Sequence, residues 1–496
     1  MAYSRTPETS SHQSARLPVA GSMTLPAYLQ TGTGMKYYNC MPRTIKQNGG
    51  DPVHILERRA SYSIPFGLPV SNFFRGAYTT IGQTFIQSFV ALGTNIYIVG
   101  DVSPKIALAT TYTDVRFAEV RSAANHYIVA LESHSSNARI HIYDLVSTST
   151  STIALNVGAQ GEPVFLNGRL YVAGWNNQRI YNSAVGDITS WSPSNDFIDA
   201  EQIGDRIVGL GLHRNHLVVL GSHSIEFFSD VGYEIGSPLL RQETYSSLIG
   251  SSLPATNSTA SVFSYVGNDL YFYGSISGAG AICRIRDFKV TKISDDYVDR
   301  LLNDLSLNVD SRSMFTVQSY GRSFVIFTLP TEVLAFCVEE GIWAIWSLPE
   351  NFMPVMSTSY KTVNAAPYYS VLWGYDFVTG NGRVQHLRNI NSAGLAIESF
   401  SAYMIFDTFD GGTEFQKHFK FVDVVGDLGD NLVTLSFTKE SSKESTSFTA
   451  TNDSAGLPIR FRNLCRAKRI NFKITFTGTT QIEFRGLDVY YNLGTN

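Results

Sequence analysis

The chain has 496 residues, a formal net charge of −4, 16% charged residues and 12% aromatic residues. That length accommodates two or three domains with well-buried cores, and the charge balance excludes a general nucleic-acid-binding surface. Few charges, many aromatics and frequent glycine suit an all-β chain. The four cysteines, Cys40, Cys283, Cys337 and Cys465, are scattered without C-x-x-C spacing; reduced, partly buried thiols are expected rather than zinc or a disulfide framework. No apolar run approaches the roughly 18 residues of a membrane span, and the N-terminus lacks the apolar core of a signal peptide. Neither export by a signal peptide nor a membrane span is expected.

Residues 1–19 are polar, Ser-rich and punctuated by proline. Alone they read as a flexible arm; ordering against a neighbouring subunit is the alternative. Residues 20–69 form an aromatic and proline-rich lead-in, where Pro42, Pro65 and Pro69 argue for extended edge segments over central strands.

From 70 to 395 one pattern recurs. It is clearest in Ile203–Gly232, where Ile207–Leu210, Leu217–Leu220 and Ile225–Phe228 are short apolar runs separated by Gly, Asn, Ser and His. Such runs read as strands joined by tight hairpins. The middle run returns after Gly93, Asn125, Asn167, Gly267 and Gly321, and more loosely at Tyr368, with starts about 32 to 54 residues apart. One three-strand unit cannot hide both faces from water, so copies must pack together. The spacing suits four-stranded propeller blades, six or seven of them, closing on themselves to leave few open sheet edges. Ser147–Thr152 reads as a polar hairpin tip or short outer strand. Ser294–Leu305 breaks the pattern: Val298, Leu301, Leu302 and Leu305 share a helical face, and Ser294 is placed to cap a short inserted helix. That helix is expected to pack on its own propeller, a partner contact being the alternative.

After 395 the rhythm changes. Leu432–Phe437, Arg469–Phe476, Gln481–Arg485 and Leu487–Tyr491 alternate polar and apolar residues, the period of half-buried antiparallel strands. Residues 396–496 are therefore expected to form a separate β-sandwich.

No catalytic constellation stands out. Phosphate-cradling G-x-x-x-x-G-K-[ST], G-x-S-x-G and H-E-x-x-H patterns are absent. His213, His216 and His223 flank a strand, which favours turn and strand-end roles over metal ligation. Asp407-Thr-Phe-Asp410-Gly-Gly offers too few oxygens for a calcium loop. Glu226 with Asp230, or Asp295 with Asp296, are conceivable glycosidase carboxylates whose separation the sequence leaves undefined. One charged cluster remains. Arg460, Arg462, Arg466, Lys468 and Arg469 place five cations in ten residues with no acid among them. Three readings stay open, in this order: contact with an adjacent subunit, a solvated loop, or DNA phosphate.

The stretch Ile207-Val-Gly-Leu-Gly-Leu-His-Arg-Asn-His-Leu-Val-Val-Leu-Gly-Ser-His-Ser-Ile-Glu-Phe-Phe228 resembles the tail-hub or nozzle proteins of short-tailed bacteriophages (podoviruses), also called packaged-DNA stabilisation proteins. Gln242–Gly250, the helix at 295–305 and the basic run leading into Arg469-Ile-Asn-Phe-Lys-Ile474 follow in a similar order, and Asn39-x-x-Pro42 is a fainter echo. The resemblance implies a virion tail component, assembled in the host cytoplasm as a homo-oligomeric ring of six copies below the portal-adaptor protein. Such a ring extends the channel for double-stranded DNA, helps to retain the genome and carries tailspikes or fibres. Neither catalysis nor a cofactor is expected on this reading. The alternative is a propeller that binds or cleaves glycans on the tail.

Overall fold

The computed structural model describes residues 13–19, 36–45, 53–63, 73–80, 87–109, 114–121, 125–200, 204–233, 237–251, 263–303, 313–329, 332–347, 352–360, 369–376, 378, 382–388, 395–440, 444–451 and 458–494. Pro65, Pro69, Ile203, Leu305, Tyr368 and residues 1–12 of the expected arm lie outside them.

Seven antiparallel sheets follow one another along the chain and make a seven-bladed propeller. Their first strands are Phe74–Thr79, Val115–Arg121, Ala159–Leu166, Ile207–His213, Phe263–Val266, Ser313–Ser319 and Phe352–Tyr360. Each first strand packs against the next, and Phe352–Tyr360 packs back on Phe74–Thr79, so the circle is complete. In six blades the recurring Gly- and Asn-led run is the second strand; in the first blade it is the third, Asn95–Ile98. The turn dipeptides before it adopt the left-handed backbone that short hairpins need. Asn167 and Gly168 have φ of 49° and 82°, and Tyr320 and Gly321 have 51° and 71°. The cores between blades are made of the apolar residues that these strands alternate inward, as with Val218, Leu220, Phe227, Leu270 and Phe272 between the fourth and fifth.

The seventh blade is closed from the far end of the chain. Its strands Phe352–Tyr360, Tyr369–Asp376 and Gly382–Arg388 are joined by Ser61–Ser63, paired antiparallel to residues 386–388. The sixth blade is not closed at all. Its last strand, Ile342–Trp346, continues through Lys36–Tyr38 into Leu395–Ile405, Ile470–Thr480, Leu432–Lys439 and Ser445–Thr451, making one nine-stranded sheet. A six-stranded sheet, Cys40–Ile45, Val53–Arg58, Glu483–Leu493, Lys417–Asp427 and Ile459–Ala467 with Gln13–Pro18 beside Glu483–Leu493, covers it. Phe419, Val422, Leu435, Phe472, Ile474, Phe476, Phe484 and Val489 fill the space between the two sheets.

The N-terminal expectations are corrected here. Gln13–Pro18 is a paired strand rather than part of a free arm, fixed by its full antiparallel register from Tyr491 to Gly486. The lead-in does not precede the first blade as a separate segment. Lys36–Arg58 supplies three sandwich strands, and Pro42 does sit in an edge strand, Cys40–Ile45. The helix spans Asp296–Leu302 and is capped by Asp295, whose carboxylate accepts from the Val298 amide at 2.9 Å. Ser294 instead donates to Asp299 at 2.6 Å and accepts from the Ile282 amide. Val298 and Leu302 face the main core. No helix among the described residues is long and apolar enough to cross a membrane.

Candidate functional site: a basic edge strand and the propeller axis

The five predicted cations lie along the outermost strand of the six-stranded sheet, Ile459–Ala467, and the turn after it. Phe461, Leu464 and Ala467 enter the core, whereas Arg460, Arg462 and Arg466 are exposed. A bulge opposite Phe419–Phe421, with Asn463 at φ 59°, bends the strand at its midpoint. Arg460 forms a bidentate pair with Asp423 at 2.6 and 2.7 Å and lies 4.2 Å over the Phe421 ring. Arg469 pairs with Glu414, and Glu440 accepts from the backbone amides of Lys468 and Arg469 at 2.9 and 3.1 Å. Beneath the turn, buried Lys417 donates to the carbonyls of Thr413, Phe415 and Lys468 at 2.6 to 2.9 Å. Burial pulls its pKa below the ordinary lysine value. Arg466 adjoins His418 in register, and burial followed by Lys420 and Arg466 disfavours charge on that imidazole. The cluster therefore divides. Two cations are neutralised in place, and Arg462, Arg466 and Lys468 present net positive charge between acids that are already paired.

The propeller axis is the second candidate. Residues from all seven blades line a cavity of about 610 Å³, among them Phe117, Val164, Leu210, Phe263, Phe315 and Met356. That is the size of a small-molecule pocket. It cannot admit a DNA duplex, whose major groove alone is about 12 Å wide. Its charged groups are matched. Glu119 meets Arg121 at 2.6 Å and His126 at 2.5 Å, and Arg116 lies 3.5 Å from Glu162. Burial, then Glu119, raises the Tyr78 hydroxyl pKa, keeping it protonated.

Other sequence candidates lie elsewhere. Buried Glu226 pairs with Arg241 at 2.6 Å, while Asp230 accepts from the Tyr171 hydroxyl at 2.9 Å. Asp295 is the helix cap and Asp296 lies in its first turn. Neither pair of carboxylates faces the axial cavity. Buried His213 sits between the Asn268 carbonyl and the Phe288 amide, its pKa lowered by burial, and His216 and His223 bond locally. Asp410 accepts from the Gly412 amide in a turn. No metal-binding group of three or more His, Cys, Asp or Glu occurs among the described residues. All four cysteines are free, and burial pushes the thiols of Cys40 and Cys283 up to about 12 and those of Cys337 and Cys465 to about 11.

What the sequence reading missed is the arginine pair at the end of Val53–Arg58, of which Arg58 ties the two sheets of the sandwich and Arg59, through Asn39, reaches the end of the sixth blade. Arg58 is buried and donates to Asn431 and Thr480 at 2.9 Å, to Gly478 at 2.7 Å and to the Phe400 carbonyl. Arg59 donates to Asn39 at 2.9 Å, and Asn39 accepts from the Ser347 amide at 2.8 Å, just past the sixth blade. Both guanidinium groups flank the Phe400 ring, at 4.2 and 4.1 Å. The adjacent Arg58-Arg59 pair at the end of an apolar strand was the one local signal.

Comparison with solved structures returns matches at low identity. A catalytically inactive virginiamycin B lyase from Staphylococcus aureus with quinupristin is 11% identical, with a TM-score of 0.43, covering 66% of this chain and 99% of its own. A dihydro-heme d1 dehydrogenase is 12% identical, with a TM-score of 0.37, covering 82% and 80%. A putative 6-phosphogluconolactonase from Bacteroides uniformis is 12% identical, with a TM-score of 0.36, covering 64% and 97%. No curated protein matches the sequence. A family model described as the β-propeller of bacteriophage P22 Gp10 matches residues 72–366, a span that opens just before the first blade and ends within the seventh. The closed propeller, the helix between its fifth and sixth blades and this match over more than half of the chain lead to one assignment: the protein belongs to the phage tail-stabilisation family of the P22 Gp10 β-propeller.

Proposed function

We propose that this chain is a non-enzymatic structural protein of the virion tail, forming a nozzle or hub ring below the portal-adaptor protein. Six copies side by side extend the DNA channel, retain the packaged genome and present attachment points for tailspikes or fibres. The observation that supports this reading best is the narrow propeller axis, a cavity of about 610 Å³ whose charges are matched. With no room for a duplex inside one chain, any conduit must run between copies, and cyclic closure of a rigid wedge makes such a tube. The mildly acidic chain suits a passage through which phosphates slide, because a strongly basic wall would bind them. Arg462, Arg466 and Lys468 then serve at a contact between subunits, or with the attached tail proteins, and DNA passes without sequence recognition.

Cryo-electron microscopy of the parent particle tests this. The expected result is a ring of this chain on the tail axis; its absence from particles, with the purified protein monomeric at all concentrations, would sink the proposal. Charge reversal at Arg462 and Arg466 should weaken assembly most at low salt, since exposed charges are screened within about 10 Å at 0.1 M. Hydrolysis of host glycans by the purified protein would favour the glycan-cleaving alternative instead.

A further inference from the structure

Sheet edges left open are templates for another strand, and proteins blunt them with charge, proline, bulges or short length. Among the described residues, the outer edges follow that rule with two exceptions. Gln13–Pro18 carries Arg16 and ends on Pro18, Cys40–Ile45 carries Pro42 and Arg43, and Pro104–Ala107 carries its proline and Lys105. Lys289–Lys292 is bounded by lysines, Asp187–Trp191 opens on an acid, and Ile459–Ala467 has three arginines and a bulge. Ser61–Ser63, Phe197–Asp199 and Leu239–Arg241 are only three residues long. The exceptions are Thr150–Ala154, the last strand of the second blade, and Ser445–Thr451, the last strand of the nine-stranded sheet. Neither contains a charge or a proline, and neither has a break in register with its inner neighbour.

The two edges also share a pattern. Each turns apolar side chains inward, Ile153 in the first and Phe448 and Ala450 in the second, and each carries exposed hydroxyls. Ser447 and Thr449 continue a ladder to Ser436 and Thr434 at 2.9 and 3.2 Å, and Thr152 bonds His141 at 2.9 Å. Thr–Thr and Thr–Ser neighbours across a strand pair are favourable. The edges are also far apart, on sheets that belong to the second and sixth of seven blades. One chain thus carries two distinct, mutually compatible edges without charge or proline on different sheets, and head-to-tail association requires two distinct complementary surfaces.

We infer that Ser445–Thr451 of one subunit adds as a strand to Thr150–Ala154 of the next copy of this chain, and that this β-addition is the ring contact. The inference rests on the ring reading above. Strand addition supplies its affinity through backbone hydrogen bonds; the absence of charge on either edge gives no handle to an acidic or basic foreign partner. The test uses the full chain with Thr449→Lys or Thr150→Lys, which restore the missing guard, and Thr291→Lys on the already guarded Lys289–Lys292 edge as a control. Native mass spectrometry should show either guarding lysine reducing the assembly to monomers at a concentration where the parent and the control are fully assembled. Circular dichroism melts should stay unchanged, because both threonines are exposed. In a Cys465→Ser background, a short bis-maleimide should link T449C to T150C when the two single variants are mixed, and leave each alone uncrosslinked. Rings that persist in both lysine variants would overturn the strand contact while leaving the ring itself standing. Crosslinking of T449C to itself would overturn it in favour of a symmetric dimer. A parent protein that never assembles would remove both.

Discussion

Arg58→Ala is the sharpest probe of how the N-terminal strands hold the two sheets of the sandwich together. The guanidinium is almost wholly buried and satisfies four acceptors, Asn431, Thr480, Gly478 and Phe400. Hydrogen bonds to a charged group contribute about 1.5 to 3 kcal/mol each, and an acceptor left buried without a donor costs about 1 to 3 kcal/mol. Water entering the vacated space would satisfy part of that set. A net loss of about 3 to 5 kcal/mol is therefore expected, within the range for breaking a buried charged network. How far the melting temperature moves depends on what unfolds together. Unfolding entropy is about 2.1 cal/mol/K per residue, so one transition of all 496 residues carries about 1 kcal/mol/K and Tm falls by about 3 to 5 °C. If the sandwich and its N-terminal strands melt alone, roughly 150 residues carry about 0.3 kcal/mol/K and the fall is about 10 to 16 °C. Calorimetry separates the two cases by showing one peak or two. Arg58→Lys should recover only part of the loss, because an ammonium cannot reproduce the planar fork. A Tm within about 1 °C of the parent for Arg58→Ala would refute this anchoring role, since even one orphaned acceptor costs about that much or more.

Three further outcomes are expected. Gly76→Ala should lower the urea midpoint by the equivalent of about 2 kcal/mol or more, because the added methyl collides with the Val115 carbonyl where the first two blades meet. Arg75→Met should cost about 3 to 5 kcal/mol by leaving Glu132, fully buried and 3.0 Å away, without its cation, and Arg75→Met with Glu132→Gln should recover much of it in a double-mutant cycle. Burial raises the Asp295 carboxyl to about 6, with its Oδ2 lacking a hydrogen-bond partner among the described residues. An acid whose folded pKa exceeds its unfolded value favours the folded state when protonated, so this contribution is lost as pH rises from about 4 to 6. Asp295→Asn, which keeps the cap acceptor, should therefore match the parent near pH 3.5 and exceed it by about 1 to 2 kcal/mol at pH 7.5, after discounting for partial exposure. Equal stability at both pH values would show the carboxyl to be ordinary.

The blade strands were legible because each is a local event: a Gly or Asn turn, then a β-branched or aromatic run, with the core on alternate side chains. The helix was legible for the same reason, although the cap moved by one residue, since Ser294 found a better partner in Asp299. Arg460–Arg469 was visible as a charge run, but its division into paired and unpaired cations was not, because Asp423, Glu414 and Glu440 lie 28 to 55 residues away. The N-terminal strands were illegible in principle. Gln13–Pro18 carries little pattern of its own and its partner stands more than 400 residues further on; Val53–Arg58 pairs locally with Cys40–Ile45, but its other neighbour, Glu483–Leu493, is as remote.

That long reach has a consequence for synthesis. Ser61–Ser63 is made more than 300 residues before residues 386–388, its partner in the seventh blade, and Gln13–Pro18 more than 450 residues before residues 486–491. Contacts of such separation form late and slowly. Loss of residues 382–388 would leave Ser61–Ser63 without its partner in the seventh blade, and loss of residues 483–493 would remove the central strand of the covering sheet. Both closures therefore depend on segments that lie hundreds of residues apart, so neither propeller nor sandwich can finish folding from one part of the chain alone.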